Sequence, residues 1–96
     1  MAFSLPVHLE GYEYRAMRTG QGQNGTWMSI VLENPEDARQ VDISVPQDMQ
    51  SDVYNMHLSK GDVLTLDVVA YAGAEYSRVR LVEIVGVVDK DGEVQL

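Results

Sequence analysis

Apolar and polar residues alternate with a period of two through most of this chain, and that alternation predicts strands. In "TWMSIVLE" (26–33) Met28, Ile30 and Leu32 take one face, and Trp27, Ser29 and Val31 the other. "RQVDISVP" (39–46) alternates most cleanly, with Val41, Ile43 and Val45 inward and Gln40, Asp42 and Ser44 outward, until Pro46 ends the ladder. "VLTLDVVAY" (63–71) sets Leu64, Leu66, Val68 and Ala70 against Thr65, Asp67, Val69 and Tyr71. "VHLEGYEYRAMR" (7–18) and "YSRVRLVEIVGV" (76–87) supply a first and a fifth strand. "QDMQSDVYNMHL" (47–58) breaks the pattern: Met49, Val53 and Met56 fall at helical spacing, with Asp48 placed to cap the start. "NPED" (34–37), "SKGD" (59–62) and "AGAE" (72–75) read as turns.

Three strands, a short helical connection and two more strands are the order of an all-β, five-stranded OB-fold-like Greek-key barrel. An SH3-like barrel is the nearest alternative and has a shorter connection. At 96 residues the chain holds one domain, expected over 1–88, and "DKDGEVQL" (89–96) is expected as a short acidic C-terminal tail or a short extra strand.

Composition narrows the classes. With 45% hydrophobic residues the chain has enough for one core. No cysteine is present, so disulfides and zinc-thiolate sites are excluded and a reducing, cytoplasmic setting is expected. The first ten residues lack a basic, apolar leader pattern, and no apolar run has the length of a membrane span. Neither membrane association nor a cofactor is expected. Enzyme chemistry finds little support. His8 and His57 stand apart from any serine-and-acid pattern, Glu36/Asp37 and Asp89/Asp91 lie in turns, and "GQGQNG" lacks the Gly-Lys-Ser/Thr ending of a P-loop.

The net charge of −8 argues against a polyanion partner, unless the basic residues are grouped. Five of the seven are arginines: Arg15, Arg18, Arg39, Arg78 and Arg80. Period-two counting places Tyr76, Arg78 and Arg80 on one face of the fifth strand, Tyr71 outward on the fourth, and Trp27 outward on the second. The same step gives Tyr12, Tyr14 and Arg18 a common face on the first. Aromatic rings interleaved with arginines are what a single strand of nucleic acid requires, because every base offers a face to stack on and every nucleotide a phosphate. Any one of these aromatics fits a half-buried place in a barrel wall equally well.

"MRTGQGQNGTW" (17–27) is expected to form a flexible polar loop that presents Arg18 and Trp27. Its run Arg18, Thr19, Gly20, then Gly25 and Trp27, resembles the DNA-binding loop of the filamentous-phage gene V proteins, small OB-fold dimers that bind single-stranded DNA. "YSRVRLVEI", with Arg78, Val79, Arg80, Leu81 and Val82 after Tyr76, resembles that family's C-terminal hairpin, and His57, Leu58 and Ser59 its His-Leu-Ser segment. The resemblance implies sequence-independent binding of single-stranded DNA in DNA replication, with RNA as an alternative strand, by a homodimer. It gives Arg18 and either Arg80 or Arg78 to phosphates, and Trp27 with either Tyr76 or Tyr71 to bases; Tyr12, Tyr14, Arg15, Gly20 and Gln23 complete the candidate set. The chain departs from the family in carrying Gln21, Gln23, Asn24 and Thr26 where the loop has further basic residues, so a shallow salt dependence is expected. An acidic β-barrel that docks a basic protein is the competing reading, since tyrosine, tryptophan and arginine also anchor protein interfaces.

Overall fold

The computed structural model describes residues 3–23, 25–72, 77–89 and 94–95. Alternating apolar positions form the strands β1 (Phe3–Gly22), β2 (Gly25–Glu33), β3 (Gln40–Val45), β4 (Val63–Ala72) and β5 (Ser77–Val88), with one helix, α1 (Gln47–Asn55), between β3 and β4. A two-residue β6 (Val94–Gln95) pairs with the end of β5, within the stretch expected as a tail. The sheet order is β3-β2-β1-β4-β5-β6, antiparallel throughout except where β3 meets β5 in parallel at Ile43↔Val79 and Ser44↔Arg80. That last contact closes the five long strands into a ring. The fold is the expected all-β, OB-like barrel with one short helix.

β1 is the organising strand. Its first half pairs with β4 (Phe3↔Ala72 to Glu13↔Val63) and its second with β2 (Glu13↔Glu33 to Gly22↔Gly25), so one 20-residue strand serves both sides of the ring. To make the turn it carries two irregularities, between Leu9 and Tyr12 against β4 and between Tyr14 and Ala16 against β2. Each adds a residue to β1 and so reverses which residues face inward. Tyr12 and Tyr14 therefore point to the core, while Arg18 pairs with Ser29 on the outer face. The expectation that Tyr12, Tyr14 and Arg18 share a face is corrected: uninterrupted two-residue counting does not survive a bulge.

The flexible loop expected at 17–27 is also corrected. Residues up to Gly22 continue β1 in a regular ladder with β2, and the hairpin closes on the Gly22↔Gly25 pair. Glycine and glutamine have weak strand preference, which makes the segment read as loop; pairing with the apolar β2 overrides that preference.

The core is as the alternation requires. Ile30, Leu32, Ile43, Leu64 and Leu66 are fully buried, joined by Met28, Val45, Val68, Leu81 and Val87. Val31, expected on the outer face, is also buried. One end of the ring is covered by α1, whose Val53 is 2% exposed and whose Met49 and flanking Met56 pack against the core. Pro46 occupies the N-cap with no side-chain cap, so Asp48 sits within the first turn, where its charge suits the helix dipole, and not at the cap as expected. Beyond the helix the Ser59 N–H donates to the buried Asp62 carboxylate at 2.7 Å, and the Tyr14 N–H to the Asp62 carbonyl at 2.7 Å. The "SKGD" turn is thereby fastened to the bulge of β1. Burial, and secondarily the Asp62 charge, raises the Tyr14 pKa above its ordinary 10.0.

Leu66 lies at the centre of β4, opposite Leu9 on one side and Ile84 on the other. Leu66→Ala should lower the unfolding free energy by about 2–5 kcal/mol, read from urea titration. A second test concerns the outer face, where His8 Nδ1 and Asp67 Oδ1, cross-strand partners, lie 2.6 Å apart. The hydrogen bond to Asp67 raises the His8 pKa above its ordinary 6.5; desolvation opposes this, and the charges of Asp67 and Glu10 add to it. The protonated pair therefore stabilises the fold fully below 6.5, and that contribution is lost as pH rises through the raised folded value. His8→Gln should flatten this loss, seen by comparing urea midpoints at about pH 5.5 and about pH 8.5.

Candidate nucleic-acid interface

The outer face of β2 carries Trp27 directly opposite Gly20 of β1. The indole lies across that glycine: a methyl group added at Gly20 would come within 2.5 Å of the ring carbons Cε2 and Cζ2. Glycine is needed here because it lets the ring lie flat on the backbone of the neighbouring strand. Trp27 is still 47% exposed, so one surface of the indole rests on the sheet while much of the side chain faces solvent. This is a positioned platform, not a side chain on a mobile loop.

The start of β2 is held from the side by α1. Gln50 Nε2 donates to the Thr26 carbonyl at 2.9 Å, and Gln21 Nε2 to Thr26 Oγ1 at 3.2 Å. Gly25 has φ +108°, the left-handed region, and a side chain there would also run into the Gln47 amide at 2.9 Å. The helix and the hairpin are thus fitted to one another close to the platform.

Two open hollows flank Trp27. One, about 650 Å³, includes Trp27, Ser29, Asp42, Ser44, Arg78 and Val79 in its wall. The other, about 520 Å³, shares Trp27, Ser44 and Arg78 and adds Gln23, Gln47, Gln50 and Arg80. Together they make a groove running from the β1–β2 hairpin across β3 to β5. The parallel β3–β5 contact places Arg80 beside Ser44, and the β4–β5 ladder places Arg78 opposite Tyr71 and Arg80 opposite Val69. Tyr71 is 38% exposed and continues the face beyond Arg78.

Ion pairing sorts the arginines. Arg15 is paired with Glu13 at 3.0 Å and Arg39 with Asp37 at 3.7 Å, both outside the groove walls. Arg18 reaches Asp42 at 3.5 Å, with both side chains more than half exposed. Arg78 and Arg80 form no salt bridge among the described residues. The groove therefore keeps two guanidinium groups that no acid among the described residues pairs with, beside an exposed indole, although the chain as a whole carries −8. Guanidinium forks match phosphate oxygens, and indole and phenol faces match bases.

Of the residues singled out from sequence, Gln23, Trp27, Arg78 and Arg80 line the hollows, while Gly20 lies under Trp27, Arg18 reaches Asp42 of the wall, and Tyr71 is the ladder partner of Arg78. It places Tyr12 and Tyr14 elsewhere: Tyr14 is 6% exposed and Tyr12 packs against the core, with its hydroxyl 3.5 Å from Asn34 Nδ2. Tyr76 lies outside the described residues. Sequence reasoning missed Gln47 and Gln50; their signal is the i, i+3 spacing at the head of a helix that closely follows an outward-facing Ser44. Among the described residues no cluster of His, Asp or Glu could hold a metal, and no helix is long and apolar enough to cross a membrane.

Fold and groove define an OB-like barrel with an aromatic and arginine-lined outer face. No family model matches the chain, and no curated protein matches it by sequence. Among solved structures it is similar to the crystal structure of a mitochondrial single-stranded DNA-binding protein from S. cerevisiae, Rim1. The TM-score is 0.63 with 14% sequence identity, covering 83% of this chain and 91% of that one. At that identity the likeness is one of fold.

Gly20→Val tests the platform. The added side chain should lift the indole off the sheet and shift the emission of Trp27, the chain's one tryptophan, to longer wavelength, with the far-ultraviolet dichroism of the barrel retained. An unchanged spectrum would mean that the ring does not rest on Gly20.

Proposed function

We propose that this chain is a non-catalytic single-stranded nucleic-acid-binding protein that takes DNA, largely independent of sequence, in the groove beside Trp27. The observation that carries the reading is the indole laid over Gly20 in the same open groove as Arg78 and Arg80, neither of them held by an acid among the described residues. A base stacks on Trp27 while the guanidinium groups neutralise flanking phosphates, and Tyr71 offers a further ring on the far side of Arg78. Gln23, Ser44, Gln47 and Gln50 line the path as uncharged hydrogen-bonding groups, which suit sugar and phosphate without fixing a base.

Two likenesses support the reading. The fold is shared with a mitochondrial single-stranded DNA-binding protein. The order of Arg18, Gly20, Gly25, Trp27, Arg78 and Arg80 is similar to that of the gene V family, and with it comes the proposal of a homodimer. Among the described residues the first half of β1 pairs only with β4, so its other edge is available to a second chain.

Fluorescence anisotropy of labelled oligo-dT, beside duplex DNA, tests the proposal. The single strand should bind preferentially, quench Trp27, and weaken with salt. Trp27→Ala should cost about 1–3 kcal/mol of binding. Arg80→Ala should weaken all sequences alike and make the slope of log K against log salt shallower by about 0.7. No binding even at low salt would overturn the reading and turn attention to a basic protein partner.

A further inference from the structure

The groove contains a carboxylate that its proposed ligand would not welcome. Asp42 stands on the outer face of β3, in the wall of the hollow that holds Trp27 and Arg78. Its Oδ2 accepts a hydrogen bond from Arg18 Nη1 at 3.5 Å. Asp42 and Arg78 each directly precede the Ile43↔Val79 pair of the parallel β3–β5 ladder, and both line the same hollow. One anion is thus placed between two of the three arginines on this face.

Neither of the ordinary reasons for an outward acid applies well here. Charges on strands often protect an open sheet edge, but Asp42 is paired with Val31 of β2 and directly adjoins the β3–β5 ladder at Ile43. Arg18 has no need of a partner for burial, since its side chain is 61% exposed. What the carboxylate does offer is chemistry close to that of a phosphate: both present paired oxygen acceptors to a guanidinium fork.

We propose that Asp42 is an internal competitor for the nucleic-acid backbone. In the free protein it occupies Arg18 and lowers the positive potential around Arg78; a phosphate entering the groove displaces it and takes Arg18. The inference rests on the reading of the groove as a nucleic-acid site. It makes Asp42 the residue that sets how weakly the strand is held and how much of that hold is electrostatic. The exchange of one acceptor for another also spares Arg18 from standing as a permanently exposed anion-binding charge. An acidic protein then meets other cellular polyanions with Arg18 already occupied.

The test is oligo-dT anisotropy across a salt series with the full chain and four variants: Asp42→Asn, Arg18→Ala, the double variant, and Asp52→Asn. Asp52 is an exposed acid on α1 outside both hollows, so its removal changes net charge alone. Asp42→Asn should bind about two- to fivefold tighter at low salt, the range open to a partly exposed ion pair. Its log K against log salt slope should steepen by up to about 0.7, because no displaced Asp42 carboxylate is left to take up a cation as the phosphate releases one. Arg18→Ala should cost more affinity in the Asp42→Asn background than in the wild type, and Asp52→Asn should stay near wild type. Asp42→Asn matching Asp52→Asn, binding more weakly than wild type, or leaving the cost of Arg18→Ala unchanged would each overturn the proposal while wild-type binding stands. A wild-type chain that binds no oligonucleotide at low salt would remove the groove reading and this proposal with it.

Discussion

The shortest ladder among the long strands has the widest consequences. β3 and β5 touch in parallel over Ile43↔Val79 and Ser44↔Arg80, and this contact turns an open meander into a ring. Closure covers sheet edges that an open five-stranded sheet would otherwise expose. It also buries Ile43 and Leu81 on the inside. On the outside the same contact brings Arg78 and Arg80, near the end of the chain, to the residues that flank Trp27, near its beginning. Core and groove are two faces of one register. A slip of a single residue here would turn Val79 outward and the arginines into the core.

Closing so small a ring demands curvature, which β1 supplies together with two extra residues of β5 between Leu81 and Gly86 in its ladder with β4. A strand that pairs with β4 along one half and β2 along the other has to bend between them, and its two irregularities take up that bend. The Asp62 turn locks the second one, through the Tyr14 amide and the Gly61 N–H bond to the Tyr14 carbonyl. The consequence for the site is specific. Tyr12 and Tyr14 are drawn into the core, and past the second irregularity Arg18 and Gly20 emerge on the groove side.

Bulges also mark where the sequence stops being legible. Strand order, the helical connection, the inward sets of β2, β3 and β4, and the barrel they imply all follow from period-two alternation, because those strands run without interruption over the residues that matter. The groove side of β2 and β5 is legible for the same reason: Trp27, Arg78 and Arg80 lie within two or three residues of an unambiguous core position. β1 is not, because a bulge changes the phase of the pattern without leaving a fixed residue signature. Gly11 near one irregularity has φ +73°, but nothing in the local sequence distinguishes it from a turn glycine. The segment 17–27 reads as loop because its stability comes from across the ladder, from the indole over Gly20 and the Gln50 amide on Thr26, and not from the preferences of its own residues.

Net charge illustrates the same distinction between a sum and an arrangement. Fifteen acids against seven basic residues, taken as a sum, argue against any polyanion. Among the described residues, however, the walls of the two hollows contain one acid, Asp42; Glu36 and Asp37 lie at the β2–β3 turn, Asp48 and Asp52 on α1, and Asp67 beside His8. Screening confines an exposed charge to about 8–10 Å at physiological ionic strength. On the proposed reading, a strand in the groove would meet Arg18, Arg78, Arg80 and Asp42 at contact range. Among the described residues Asp42 is the one acid in the groove wall, so on the proposed reading the arrangement of four side chains matters more than the sign of the whole chain.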